Sequence, residues 1–214
     1  MAKIRAVILD FDGVLAESNE EKSAAFEELF ALYPEYSEAM RAFHLDHYSS
    51  SRYDKFAYYA EVLMGSSAAS LVVDEMAAQY ARLVIDRVIA CPSVPGAVDF
   101  LREFSAVVPL YISSATPQEE LRTIVARRGI DRYITIAFGN PPTTKAAAIS
   151  NVLEREGLGP DKVVFVGDSA SDYEAAAEAD LVFLGRDSGR PFSGLDVELH
   201  ADLNGVSTAL RKLI

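Results

Sequence analysis

Short apolar runs rich in β-branched residues recur along this chain, and helical patterns lie between the later ones. Residues 4–9, 107–113, 134–138, 163–166 and 181–184 read as strands. Apolar residues at helical spacing mark 121–128, 146–156 and 172–178 as helices. Parallel strands cannot be joined by a tight turn. A chain that alternates strand and helix therefore forms a parallel sheet with helices on both faces. The expected fold class is α/β.

Residues 17–91 follow a different pattern and hold no convincing strand. Phe26, Leu29, Phe30 and Tyr33 fall at helical spacing, as do Phe56, Ala60 and Leu63, and then Val73, Met76, Tyr80 and Leu83. Pro34, Gly65, Pro92 and Pro95 punctuate the stretch. The aromatic stripes read as the core of a helical bundle. The expected organisation is a helical domain, 17–91, inserted into a sheet domain formed by 1–16 and 92–214. With 214 residues, half of them hydrophobic, the chain can bury both cores.

Charge narrows the partners. A formal net charge of −12 disfavours nucleic acid and anionic membrane surfaces, and no apolar run is long enough to span a bilayer. The lone Cys91 has no partner for an internal disulfide, and the first strand begins within four residues of the start. The expectation is a cytoplasmic protein, monomer or homodimer.

The strand ends carry the chemistry. Residues 4–9 run straight into Asp10-Phe11-Asp12-Gly13. Alternation along an extended chain sends Asp10 and Asp12 toward one pocket and Phe11 into packing, and Gly13 permits a sharp bend. Two close carboxylates repel, and a hard divalent cation relieves that repulsion. The second apolar run ends in Ser113-Ser114-Ala115-Thr116, where a hydroxyl and the next backbone N–H can hold a phosphoryl oxygen. Lys145 opens a helix, a position that opposes the macrodipole unless an anion sits there. A further run ends in Gly167-Asp168, with Asp172 one helical turn on. Each feature has an ordinary reading, as a turn, a helix cap or, for Lys145, a solvated loop lysine. Four strand ends supplying a carboxylate pair, a hydroxyl, a lysine and a second acid pair favour a joint one.

In this order and spacing the residues resemble the haloacid dehalogenase-like superfamily, in its phosphatase branch. The motifs are Asp10-Phe11-Asp12-Gly13, Ser114, Lys145, and Gly167-Asp168 with Asp172, and the helical insertion sits where that family carries a cap. The resemblance implies a Rossmann-like three-layer core with an all-helical cap domain. It also implies Asp10 as nucleophile, Asp12 as acid and base, and Ser114 and Lys145 as phosphate-binding catalytic residues. Mg2+ would be held by Asp10, Asp12 (through its backbone carbonyl) and Asp168, with Asp172 behind them. Ser114 rather than Ser113 is assigned to the phosphate, and Gly13 and Ala115 are placed beside the substrate. An acid at position 12 favours phosphate esters over halides. The implied enzyme is a Mg2+-dependent phosphatase of a sugar phosphate or a phosphoglycolate-like acid, acting through an aspartyl phosphate. A phosphosugar mutase and a phosphoacceptor signalling module are the alternatives.

Arg52 and Lys55 are the expected cap contacts to a second anionic group of the substrate. Glu17 reads either as a contact to a substrate hydroxyl or as a surface side chain. Arg186 and Arg190 read as solvated loop residues or as cations that neutralise substrate, and His44 and His47 as exposed or internally satisfied imidazoles.

Overall fold

A computed structural model describes residues 3–47, 50–65, 69–192 and 194–214. The chain divides into two units, Met1–Ser18 with Cys91–Ile214, and Asn19–Ala90.

The first unit is built on a six-stranded sheet. Its strands are β1 (Ala6–Leu9), β2 (Leu110–Ser114), β3 (Ile136–Gly139), β4 (Val163–Gly167), β5 (Val182–Arg186) and β6 (Leu199–His200), in the order β3-β2-β1-β4-β5-β6. Every pairing is parallel. This is the α/β class expected from the alternation and the Rossmann-like core implied by the resemblance, and strand order reverses at β1, beside β4. All residues of β1 and β4 are buried, which is why these two segments read as unbroken apolar runs. Ala6, Ile8, Tyr111, Val163 and Phe165 pack with Ile149, Val152 and Ala176 from the helices above them.

Those helices are numbered with the whole chain: α1 (Asn19–Ala31), α2 (Ser37–Asp46), α3 (Arg52–Tyr58), α4 (Ala69–Ala90), α5 (Ala97–Phe104), α6 (Gln118–Arg127), α7 (Lys145–Glu156), α8 (Ala170–Glu178) and α9 (Leu203–Arg211). Helix α5 buries Ala97, Phe100, Leu101 and Phe104, and α9 buries Leu203, Val206, Ser207 and Leu210. Both sets recur at positions one, four, five and eight, the stripe a surface helix needs. Strand β2 starts three residues later than the sequence suggests. Val107 and Val108 both donate their N–H to Phe104 O, closing a turn off α5, and Val107 is exposed.

The register sets up the site. Leu9 lies level with Ile112 and with Val166, so β1, β2 and β4 end within two residues of one level. Asp10, Ser114 and Asp168 then emerge at one edge of the sheet, the edge where open α/β sheets place ligands.

The second unit is all helical. Helices α1 to α4 and a π-helical turn, Tyr59–Leu63, surround an aromatic core. Phe26 lies 4.3 Å from Tyr80 and 4.4 Å from His44, ring centre to ring centre, and Phe30 meets Tyr59 edge-on. The described residues include no helix long and apolar enough to cross a membrane.

Candidate active site

Asp10 follows the last residue of β1. Its N–H donates to Val166 O at 2.9 Å, which carries the sheet pairing one residue past the strand. Its Oδ1 accepts from Phe11 N at 2.7 Å, so one carboxylate oxygen is fixed by the backbone. Its Oδ2 lies 3.8 Å from Lys145 Nζ. Phe11 is fully buried, as the alternation requires, and Asp12 turns back into the unit. Asp12 Oδ1 accepts from Ser18 Oγ at 2.6 Å, and Oδ2 from Ser114 Oγ at 3.3 Å and Thr116 Oγ1 at 3.5 Å. The chain turns at Gly13, whose φ of +72° is a conformation that a side chain disfavours.

Helices α7 and α8 bring in the other charges. Thr144 caps α7 by accepting from Ala147 N, which places Lys145 at the first helical position. Ser169 caps α8 by accepting from Asp172 N, and its hydroxyl also donates to Asp172 Oδ2. Asp172 is held by its own helix start, and it accepts a close hydrogen bond from Lys145 Nζ on its other oxygen. Lys145 thus bridges Asp10 and Asp172.

Asp10, Asp168 and Asp172 each offer a carboxylate oxygen within 4.8 Å of the others, and all three are buried. Burial pushes the Asp10 carboxyl well above the usual range. Lys145 opposes that shift, while Asp172, Asp168 and Asp12 reinforce it. For Lys145, burial pulls downward, but Asp10 and Asp172 outweigh it and hold the ammonium above the ordinary lysine value. Three converging hard oxygens with excess negative charge are a donor set suited to a cation such as Mg2+. The carboxylate group contains Asp172, placed behind the metal from the sequence. The Asp12 carboxylate lies apart from it, among hydroxyls.

The sequence places Thr116 among the small hydroxyl residues after β2 without giving it a role, and it does not mark Ser18. Both are small residues in loops, and only the fold brings them to Asp12. Ser114 faces Asp12 and also accepts from Thr116 N at 3.1 Å, while Ala115 is exposed beside it. Two arginines read as solvated are not. Arg186 is the last residue of β5 and is buried against Glu17, because the strand runs to its carboxyl end before the loop begins. Arg190 reaches back from that loop to within 3.4 Å of Asp168 Oδ1.

Arg52 and Lys55 belong to the helical unit, and both are buried on α3. The Arg52 guanidinium lies 4.6 Å over the Tyr80 ring, and Lys55 Nζ lies 5.1 Å over Phe26 and 3.1 Å from His44 Nδ1. His47 Nδ1 lies 3.1 Å from Phe43 O, four residues back on its own helix.

The sequence pattern of haloacid dehalogenase-like hydrolases matches residues 4–180, a span that holds every motif above. The chain belongs to that family. The phosphoglycolate phosphatase of Synechococcus elongatus is 31% identical over 90 residues, 41% of this chain, so the chain spans 42% of the length of that curated relative. Two solved structures extend over nearly the whole chain. A haloacid dehalogenase-like hydrolase from Streptococcus pneumoniae has a TM-score of 0.73 at 21% identity, covering 96% of this chain and 98% of its own. A predicted phosphoglycolate phosphatase from Haemophilus somnus has a TM-score of 0.74 at 15% identity, covering 98% and 99%. At these identities the two structures support the family fold, with its α/β sheet.

Proposed function

We propose that this family member is a Mg2+-dependent phosphatase of a small phosphorylated metabolite, a sugar phosphate or a phosphoglycolate-like acid. The observation that carries the reading is the convergence, at one sheet edge, of Asp10 beside Lys145 with Asp12 among hydroxyls. Asp10 is the nucleophile. Its Oδ1 is tied to Phe11 N, so Oδ2, on the Lys145 side, attacks phosphorus. The bond from phosphorus to the ester oxygen breaks, Asp12 gives its proton to that oxygen, and an aspartyl phosphate remains. Asp12, now ionised, takes a proton from water as the water attacks phosphorus, and inorganic phosphate leaves with Asp10 restored. Covalent catalysis of this kind divides one difficult displacement into two easier ones.

Lys145 lowers the repulsion between an anionic nucleophile and an anionic ester, and Asp172 orients it. Ser114, with the Ala115 backbone N–H, holds phosphoryl oxygens, and Gly13 leaves room for them. Asp10, Asp168 and the Asp12 backbone carbonyl would hold Mg2+, which supplies positive charge against the transferring group. The partial match to a phosphoglycolate phosphatase supports the proposed substrate class.

The test is phosphate release from a panel of phosphorylated metabolites, with Mg2+ and with chelator, on wild type and Asp10→Asn. Release that needs Mg2+ and disappears in Asp10→Asn is the expected result. Isomerisation of a sugar phosphate without phosphate release would make the enzyme a mutase, and full activity in Asp10→Asn would remove the nucleophile.

A further inference from the structure

Glu17 and Arg186 lie outside the chemistry just described, yet they close on a residue within it. Only 9% of the Arg186 side chain is exposed. Its Nη1 donates to Gly13 O at 3.0 Å and to Glu17 Oε2 at 3.1 Å, and its Nη2 donates to Glu17 Oε1 at 2.6 Å. The two anchors flank the acid. Gly13 directly follows Asp12, and Glu17 directly precedes Ser18, whose Oγ donates to Asp12 Oδ1 at 2.6 Å.

The turn between those anchors is itself closed. Gly13 N donates to Ala16 O at 2.8 Å, and Glu17 N donates to Pro92 O at 2.9 Å. Arg186 therefore grips a stiff turn at both ends, from a strand two positions away in the sheet. A forked arginine–carboxylate pair fixes direction as well as distance. Without it, Gly13 O loses a donor and Glu17 loses its partner, and the Ser18 contact that aims the Asp12 carboxylate is left to the backbone bonds of the turn and the bond from Ser18 Oγ to Ala16 O.

We propose that the Glu17–Arg186 pair is a clamp that positions Asp12 to protonate the leaving oxygen. The inference rests on Asp12 being the acid of the reaction above. Arg186 and Glu17 are positioning residues, and their signature lies in leaving-group dependence. A weakly basic leaving group departs without a proton, and a strongly basic one needs it.

The experiment measures kcat/KM on aryl phosphates whose phenols run from acidic to basic, for wild type, Arg186→Met, Arg186→Lys, Glu17→Gln and Asp12→Asn. Arg186→Met is expected to act on the most acidic phenol ester within a few-fold of wild type. It should lose on the order of 10- to 100-fold on the most basic, less than the roughly 10²–10⁴-fold that a positioned acid supplies, because the acid is misaimed rather than removed. Glu17→Gln should show the same steepening to a smaller degree, and Arg186→Lys, which keeps a donor for Gly13 O, should recover part of the loss. A loss uniform across the series in Arg186→Met and Glu17→Gln overturns the clamp, provided Asp12→Asn steepens. A uniform loss in Asp12→Asn overturns the acid assignment beneath it. Should Arg186→Met fail to fold, Glu17→Gln decides alone: steepening supports the clamp and a flat response sinks it.

Discussion

At Gly167 a single missing side chain holds the site together. A Cβ there would lie 2.3 Å from Asp172 Cβ and 2.6 Å from its Cγ, closer than real atoms approach. Asp172 cannot move without dragging Lys145, which it binds, and Lys145 lies over Asp10. Gly167→Ala is expected to cost about 1–3 kcal/mol of stability, the usual range for overpacking. It should also lower kcat more than it raises KM, as read by urea unfolding and by phosphate release. A stable, fully active Gly167→Ala enzyme would mean that Asp172 does not orient the lysine. Asp10, Asp12, Lys145 and Asp168 were legible in the sequence because each is a charged residue at the end of an apolar run or the start of a helix. Ser18, the Thr116 contact with Asp12 and the Glu17–Arg186 pair were not. Their meaning comes from distances across the fold between residues of ordinary type.

Among the elements, the central strands were the easiest to read. β1 and β4 are buried on both faces, so nothing interrupts their apolar runs. The edge was harder. β6 is two residues long and only partly buried, too short for any period to show. In the helical unit the stripe on α1 is apolar and aromatic, whereas α3 buries Arg52 and Lys55 beside Phe56, a pattern that hydrophobic periodicity alone passes over. His44 on α2 gives this unit a pH signature. Burial, and next to it the Lys55 charge, pulls His44 from 6.5 down to about 4. Below pH 6.5 the unfolded chain binds a proton at this site that the folded chain refuses until about pH 4. Stability is therefore present above pH 6.5 and lost as pH falls toward 4, by up to about 1.4 kcal/mol per pH unit. In urea unfolding from pH 7 to pH 4, wild type should lose stability more steeply than His44→Gln. Parallel curves would contradict a neutral buried imidazole.

For the molecule as a whole, the net charge of −12 sets a requirement that the site meets locally. An anionic ester approaching an acidic protein needs positive charge at the point of contact. In the proposed reaction Lys145 supplies it, and the carboxylates of Asp10, Asp168 and Asp172 suit a divalent cation that would supply more. The α/β fold with a helical insertion was visible in the alternation of patterns, and the family match spans 4–180. The substrate was not visible, because the chemistry of a phosphate group is shared by every ester that carries one.

The central claim is that phosphorus becomes bonded to Asp10. The direct measurement is acid quenching of the enzyme during turnover of a good substrate with Mg2+, followed by peptide mass spectrometry. A phosphate adduct on the peptide that carries Asp10, lost in Asp10→Asn and accumulating in Asp12→Asn as water attack slows, is the predicted result. Rapid turnover by wild type with no adduct in either wild type or Asp12→Asn would mean that water attacks the ester directly, and the account would be wrong.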